Sequence, residues 1–408
     1  MPDAEKLVAV RAGLPATSAG IYLNTGSLGP LPAEAAAAMS EYDAHDLRTG
    51  RAHPDDMEAG FERMAECRAG VAAILATDVD AIALTHATTD GMNTATWAVD
   101  WRPGDRAVTT RHEHAGGLGP LIAVRDRFGV ELDFADIGDG SDDERTLAAF
   151  DAAIGPATNL VSVSHVLWTT GARLPVERIS ALARERGALV AIDGAQSVGA
   201  ISVAVDEIGA DFYAIPAQKW LLGPEGTGAL WASRRAIETA AQSTTGWYSF
   251  EKLSLDGTAT YKGDARRFEG SNYHKPSVVG FARSCGWLSM YVGLPWVLER
   301  GQRLARAAAD RLAAIDGVTL LTPRERMATL VTFRIAGWTP DAALAELGAR
   351  VFAIARTVPA VDAIRISVGF FNTEEEIERF SGAVELLARH TPETLPPRRL
   401  VILGQDGP

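Results

Sequence analysis

Four short polar clusters follow apolar runs in this chain, and together their side chains suit one kind of chemistry. Asp193-Gly194-Ala195-Gln196 follows a run ending at Ile192, and Pro216-Ala217-Gln218-Lys219-Trp220 follows Ile215. Thr85-His86-Ala87-Thr88-Thr89-Asp90-Gly91 follows Leu84, and Arg111-His112-Glu113-His114 follows Thr110. Singly, each has an ordinary structural explanation: an Asp after a strand caps a helix, and a lone Lys is solvated. Jointly they supply an amine, a carboxylate, an anion cradle and a flat ring. Lys219 lies beside Trp220, Leu221 and Leu222, where loss of water lowers its pKa and favours the neutral nucleophile. Asp193 can keep a pyridine nitrogen protonated. Thr88 and Thr89 open a helix after a strand, where unpaired backbone N–H groups attract phosphate. His114 can stack on a ring. A lysine for a Schiff base, a carboxylate for a ring nitrogen and a phosphate cradle are the requirements of pyridoxal phosphate.

Such residues must be held by regular elements. Apolar runs at 81–84, 107–110, 130–134, 160–163, 189–192, 212–215 and 229–231 read as strands, with helical patterns such as 118–128 and 176–186 between several of them. The latter helix starts after Pro175 and stops at Gly187. This alternation predicts an α/β fold, a mostly parallel seven-stranded sheet covered by helices, with ligands beyond the carboxyl ends of its strands. Past residue 275 the rhythm changes. One long helix is expected over 276–314, with Arg300, Arg303 and Arg306 on a solvated face. Strands near 318–321, 329–334 and 364–368 and a helix from 373 to 389 then indicate a smaller α+β unit. The predicted division is a large domain over 20–270 and a small one from 1–19 plus 271–408.

Composition narrows the class. The chain of 408 residues has 39 Lys+Arg against 52 Asp+Glu, a net charge of −13, with 47% hydrophobic and 22% charged residues. That balance fits a packed globular core and argues against disorder and against nucleic-acid binding through a basic surface. Two distant cysteines, Cys67 and Cys285, build no disulfide framework and read as inert core residues. No apolar stretch is long enough to span a bilayer, and no targeting segment is evident, so a cytoplasmic protein is expected. His112 and His114 also read as a metal pair on one strand face, but no third ligand cluster accompanies them, so no metal site is assigned. The glycines from Gly223 to Gly228 read as a turn into the last strand, and His86 and His165 as structural histidines.

Taken with Tyr22-Leu23-Asn24-Thr25-Gly26, Phe268-Glu269-Gly270-Ser271-Asn272 and Arg365-Ile366-Ser367, the two clusters around Asp193 and Lys219 resemble the class V aminotransferases. That family of fold type I pyridoxal-phosphate enzymes includes cysteine desulfurases, cystine C–S lyases and isopenicillin N epimerase. The resemblance implies an aspartate-aminotransferase-like fold, with Lys219 as the Schiff-base lysine and Asp193 as partner of the ring nitrogen. It further implies Gln196 at the ring hydroxyl, His114 stacked on the ring, and Thr88 and Thr89 at the phosphate. Gln218 and Ser271 join the cofactor set, the latter reaching the phosphate of a neighbouring subunit, so a homodimer with shared sites is implied. Arg365 matches the arginine that pairs with a substrate α-carboxylate, a task for a bidentate guanidinium. Asn24 and Thr25 line the substrate pocket. Arg356 is either a second substrate anchor or a surface residue. Residues 247–250 form either a gating loop or an aromatic dimer contact.

Departures from the family's patterns guide the choice of reaction. Residues 351–362, where a desulfurase carries its nucleophilic cysteine, contain none. The expectation is therefore an enzyme other than a persulfide-relay desulfurase. Gln218-Lys219-Trp220 and Trp168-Thr169-Thr170-Gly171 resemble the C–S lyase branch, the latter segment standing where desulfurases usually have an asparagine near the cofactor. The lead reading is β-elimination on a cysteine-derived amino acid or S-conjugate. Epimerisation, transamination or decarboxylation of an amino acid is the alternative, and a cofactor-free binding protein on the same fold is a third.

Overall fold

The computed structural model describes residues 3–270 and 272–398, so Ser271 lies outside the described residues. All seven expected strands form: β1 (Ile82–Thr85), β2 (Arg106–Thr110), β3 (Glu131–Ala135), β4 (Thr158–Ser164), β5 (Leu189–Asp193), β6 (Phe212–Pro216) and β7 (Gly228–Ala232). They make one sheet in the order β1-β7-β6-β5-β4-β2-β3. β7 is antiparallel to both neighbours, and the other neighbouring pairs are parallel. The pleat explains the apolar runs. Val161, Val163, Val190, Ile192 and Ile215 enter one core, while Leu160, Ala191, Phe212 and Ala214 enter another on the opposite face. Both faces being buried, the strands read as continuous apolar segments rather than alternating ones.

The sheet brings the four polar clusters to one edge. β1, β2, β5 and β6 point the same way, so their carboxyl ends carry Thr88, His114, Asp193 and Lys219 together. A second sheet of four antiparallel strands has the order Val318–Leu320, Leu330–Ile335, Ala363–Ser367, Arg356–Val358. Its last strand is not signalled by the sequence. It sets Arg356 directly opposite Arg365, so both side chains leave the same face.

Three expectations need correction. The helix expected over 276–314 is two helices, Lys275–Gly286 and Leu294–Ala313, joined by a π-helical turn over Trp287–Gly293. Gly293 takes φ +88°, and Pro295 starts the next helix, which accounts for the interruption. Arg300 is buried rather than solvated, donating to the carbonyls of Phe370 and Asn372 at 2.9 Å each and pairing with Glu374. Arg303 and Arg306 are exposed as expected. Finally, β2 stops at Thr110, so His112 and His114 do not share a strand face. His112 bonds Thr169 Oγ1 and the Gly138 carbonyl, whereas His114 caps the helix Ala115–Phe128. No group of metal-ligating side chains occurs among the described residues.

His165 is buried and bonds Tyr213 Oη through Nδ1, but its Nε2 has no partner; His86 is exposed and stacks on Tyr273. Cys67 and Cys285 are both buried in the core, and burial raises both thiol pKa values. No helix among the described residues is long and apolar enough to cross a membrane.

One buried ion pair ties the site's periphery together. Arg68 donates twice to Glu269, at 2.7 Å each, and Glu269 also accepts from the Leu84 amide at 2.9 Å. The bidentate geometry and third bond satisfy a carboxylate that would otherwise be costly to bury. The segment ending at Gly270 is thereby fixed against β1, one turn before Thr88.

Candidate active site

Lys219 sits in the turn after β6, between the buried residues Ala217 and Leu221. The turn is gripped from outside. The Gly29 amide donates to the Gln218 carbonyl at 2.7 Å, and a Cβ on Gly29 would lie 2.3 Å from the Lys219 carbonyl oxygen. Only glycine permits that approach. Leu222 adopts φ +55°, a left-handed conformation unusual for a branched apolar side chain and typical of functional turns. Burial lowers the Lys219 pKa to about 8; the Asp193 carboxylate opposes this, and Arg365 and Arg356 add to it. The neutral amine is therefore far more populated near neutrality than for an ordinary lysine.

Asp193 ends β5 and is buried, accepting from the Ala195 amide at 2.9 Å through Oδ1. Gly117, in the first turn of the helix that His114 caps, lies against its other oxygen. His114 accepts from the Gly116 amide and sits edge-on to Trp168 at 5.5 Å between centroids. Burial and the cations of Lys219, Arg356 and Arg365 lower its pKa, and Asp193 partly offsets them. Its ring is accordingly neutral near pH 7. Gln196 donates to the Gly26 carbonyl at 2.8 Å and accepts from Trp220 Nε1 at 2.9 Å. The indole can only donate and the carbonyl only accept, so both contacts demand one amide orientation. Nε2 retains one free proton for a ring oxygen.

Thr88 and Thr89 begin the helix Thr88–Trp97, whose N-cap is Ala87 with no side-chain cap. An uncapped helix start leaves backbone donors for an anion. Thr88 is buried and its hydroxyl has no partner; Thr89 is exposed. A Cβ on Gly116 would lie 2.4 Å from Thr89 Oγ1, so the His114-capped helix closes on this cradle.

Arg365 is 1% exposed, yet its guanidinium pairs with no carboxylate among the described residues. Nη1 donates to the Trp168 carbonyl at 2.9 Å, while Nε and Nη2 have no partner. Burial and the neighbouring Arg356 lower its pKa. Arg356 is half-buried, 6.0 Å above the Trp168 ring, and contacts Ser27 Oγ. Asn24 bridges in register to Ser367. The buried atoms Asn24 Oδ1, Thr25 Oγ1, Thr88 Oγ1, Trp168 Nε1, Gln218 Oε1 and Ser367 Oγ all lack partners. Buried polar groups are normally satisfied, so these atoms, beside the strand ends and Arg365, are free to meet a ligand. The set fits pyridoxal phosphate: a depressed lysine, a buried carboxylate, an open helix start and an unpaired arginine.

Glu113 and Ser367 escape a reading of the sequence, although Ser367 is signalled: it lies two residues from Arg365 on the same strand face.

Residues 21–380 match the class-V aminotransferase family. A protein named "Probable cysteine desulfurase" from Mycolicibacterium paratuberculosis is 30% identical over 76% of this chain, which spans 46% of that protein's length. A protein of the same name from Methanothermobacter thermautotrophicus is 27% identical over 93% of this chain and 97% of its own. The isopenicillin N epimerase of Streptomyces clavuligerus is 30% identical over 90% of this chain and 94% of its own. Among solved structures, a lysine-to-alanine mutant of the protein C-DES, with glycine covalently linked to its pyridoxal-phosphate cofactor, superposes with TM-score 0.86 at 25% identity. It covers 92% of this chain and 98% of its own. The cystine C–S lyase C-DES with its product cysteine persulfide gives TM-score 0.85 at 25% identity, over 91% and 99%. Match, fold and lysine-centred site agree, and the chain belongs to the class-V aminotransferase family of pyridoxal-phosphate enzymes.

Proposed function

We propose that the protein is a lyase that removes the β-sulfur of a cysteine-derived amino acid or S-conjugate. The observation that carries this reading is the cross-strand pair Arg356–Arg365, two guanidiniums on one face with no carboxylate of their own at Arg365. Arg365 receives the α-carboxylate of the substrate. Arg356, on the more open side, receives a second acidic group at the far end, as cystine or a carboxylated S-conjugate would present. Asn24 and Thr25 offer unpaired oxygens to the same substrate.

Pyridoxal phosphate, when bound, supplies an electron sink for the α-carbanion. The residues do the rest. Lys219 would hold the cofactor carbonyl carbon until the substrate amine replaces it, and its Nζ then takes the α-proton. Asp193 would hold the proton on the ring nitrogen, His114 would cover the ring face, Gln196 and Gln218 would edge it, and Thr88 and Thr89 would hold the phosphate. As the Cβ–S bond breaks, its electron pair leaves on sulfur, and the proton at Lys219 Nζ is the one placed to neutralise the thiolate. Lys219 Nζ would then retake the cofactor carbon, so that the substrate nitrogen leaves with a free enamine, which tautomerises and is hydrolysed by water to pyruvate and ammonia.

The exclusion of desulfurase activity is not supported by the relatives, several of which carry that name. It rests on residues 351–362, which hold no cysteine. Epimerisation is the second reading, favoured by the epimerase relative, which matches nearly end to end. Incubating the cofactor-loaded protein with cystine and with cysteine S-conjugates is expected to release pyruvate with a thiol or persulfide. Alanine formed from free cysteine would instead make it a desulfurase. Deuterium at the α-carbon without pyruvate would make it an epimerase, and a keto acid with amine transfer an aminotransferase.

A homodimer is part of the proposal. A cleft of about 650 Å³, lined by Phe61, Arg68, Trp247, Tyr248 and Glu269, adjoins the segment leading to Ser271. Trp247, Leu253 and Phe61, which line it, are exposed, an apolar surface that a second copy would cover. Sedimentation equilibrium is expected to give twice the chain mass of 43.3 kDa; a mass of one chain would contradict it.

A further inference from the structure

Glu113 is a buried carboxyl at the edge of this site that none of the steps above uses. It accepts from Thr110 Oγ1 at 2.6 Å and from Ser164 Oγ at 2.5 Å. Those residues end β2 and β4, so two strands hold the carboxyl at the carboxyl edge of the sheet. Ser164 pairs in register with Asp193 on β5, and His114 is the next residue along the chain. Glu113 thus stands behind the ring position, close to the carboxylate assigned to the ring nitrogen. The facing groups are few. Thr110 and Ser164 contribute hydroxyls, Asp193 contributes a negative charge, and His114 is neutral near pH 7.

Two carboxylates sharing a dry space cannot both ionise freely. Burial and the Asp193 charge push Glu113 up to about 7, against the lowering effect of its hydroxyl bonds. Coupling is reciprocal: if Asp193 disfavours a charge on Glu113, a cation at Asp193 favours it.

We propose that Glu113 is a positioning residue for the cofactor's ring nitrogen, a buried carboxyl whose charge sets the total negative field at Asp193. With Glu113 neutral, Asp193 faces the ring proton alone. With Glu113 ionised, a second negative charge holds that proton, and any other on the ring system, more tightly. The inference rests on the cofactor assignment and not on the identity of the leaving group.

Glu113→Gln keeps the shape and removes the charge. In the cofactor-loaded full chain, the visible absorbance band of the lysine-bound cofactor is expected to titrate at lower pH, by about half a unit or more. A second readout needs no turnover. After cofactor removal, the folded wild type keeps a proton on Glu113 between the ordinary carboxyl range and about pH 7, where the unfolded chain has released it. Wild-type stability therefore falls as pH rises through that window, and Glu113→Gln lacks this fall. The melting temperature of the variant minus that of wild type should grow by about 2–5 °C from pH 5 to pH 8. Ser164→Ala, which removes one bond to the ionised form, should move the fall to higher pH. An unmoved absorbance titration would overturn the proposal, and so would a constant melting difference. So would a Ser164→Ala fall displaced to lower pH.

Discussion

Lys219→Ala is expected to lower kcat by more than about 10³-fold and to abolish the visible absorbance of the purified protein. Two tasks fall on one atom. In the proposed reaction Nζ is both the nucleophile that fixes the cofactor and the base beside the α-carbon, so no neighbour can take over half of the work. Gln218, the adjacent polar side chain, cannot form the imine. Arg365 and Arg356, whose charges help depress the Lys219 pKa, stay protonated and are poor bases. The variant should remain folded. Burial of an amine whose pKa falls to about 8 is a cost to the folded state, so the melting temperature should hold or rise. Turnover surviving in Lys219→Ala, measured against each substrate that wild type converts, would remove the lysine from its role.

Arg365→Met is expected to separate stability from activity. The guanidinium is buried with Nε and Nη2 unpartnered, so the cofactor-free protein carries an uncompensated charge. Replacing such a group by an apolar side chain of similar length should raise stability by on the order of 1 kcal/mol, after allowing for the lost bond to the Trp168 carbonyl. Catalysis should move the other way. A substrate carboxylate without its bidentate partner loses about 2–4 kcal/mol, a fall of about 30- to 10³-fold in kcat/KM. Melting curves and kcat/KM on the same preparation test both halves. A variant that is less stable and equally active would show Arg365 to be a structural residue.

Much of this arrangement is legible in the sequence because it is local. Each central strand is buried on both faces and ends in a polar cluster, so Ile192 before Asp193 and Ile215 before Lys219 announce a strand and its ligand end at once. What stays hidden depends on partners far along the chain. Arg356 looks like a loop residue until Arg365 supplies the strand opposite it. Arg300 belongs to a helical face that reads as solvated, and only the turn at 370–374 shows why a guanidinium is wanted there. His112 and His114 mislead because spacing of two means one face only while the strand lasts, and this one ends at Thr110. Glu113 is hidden by distance as well, since one of its two hydroxyl partners is Ser164, on a strand 51 residues away.

The short segment from Asn24 to Gly29 touches three separate parts of the molecule. Asn24 joins the small sheet at Ser367, Gly26 receives Gln196, and Gly29 grips the lysine turn at Gln218. These residues are made before their partners, which lie about 170 to 340 positions later, so they are seated late. A growing chain can complete most of its large sheet while the pocket still has no wall on that side. The pocket beside Lys219 is therefore completed late, and a fragment lacking residues 24–29 would keep the lysine turn but lose the wall that the proposed reaction needs.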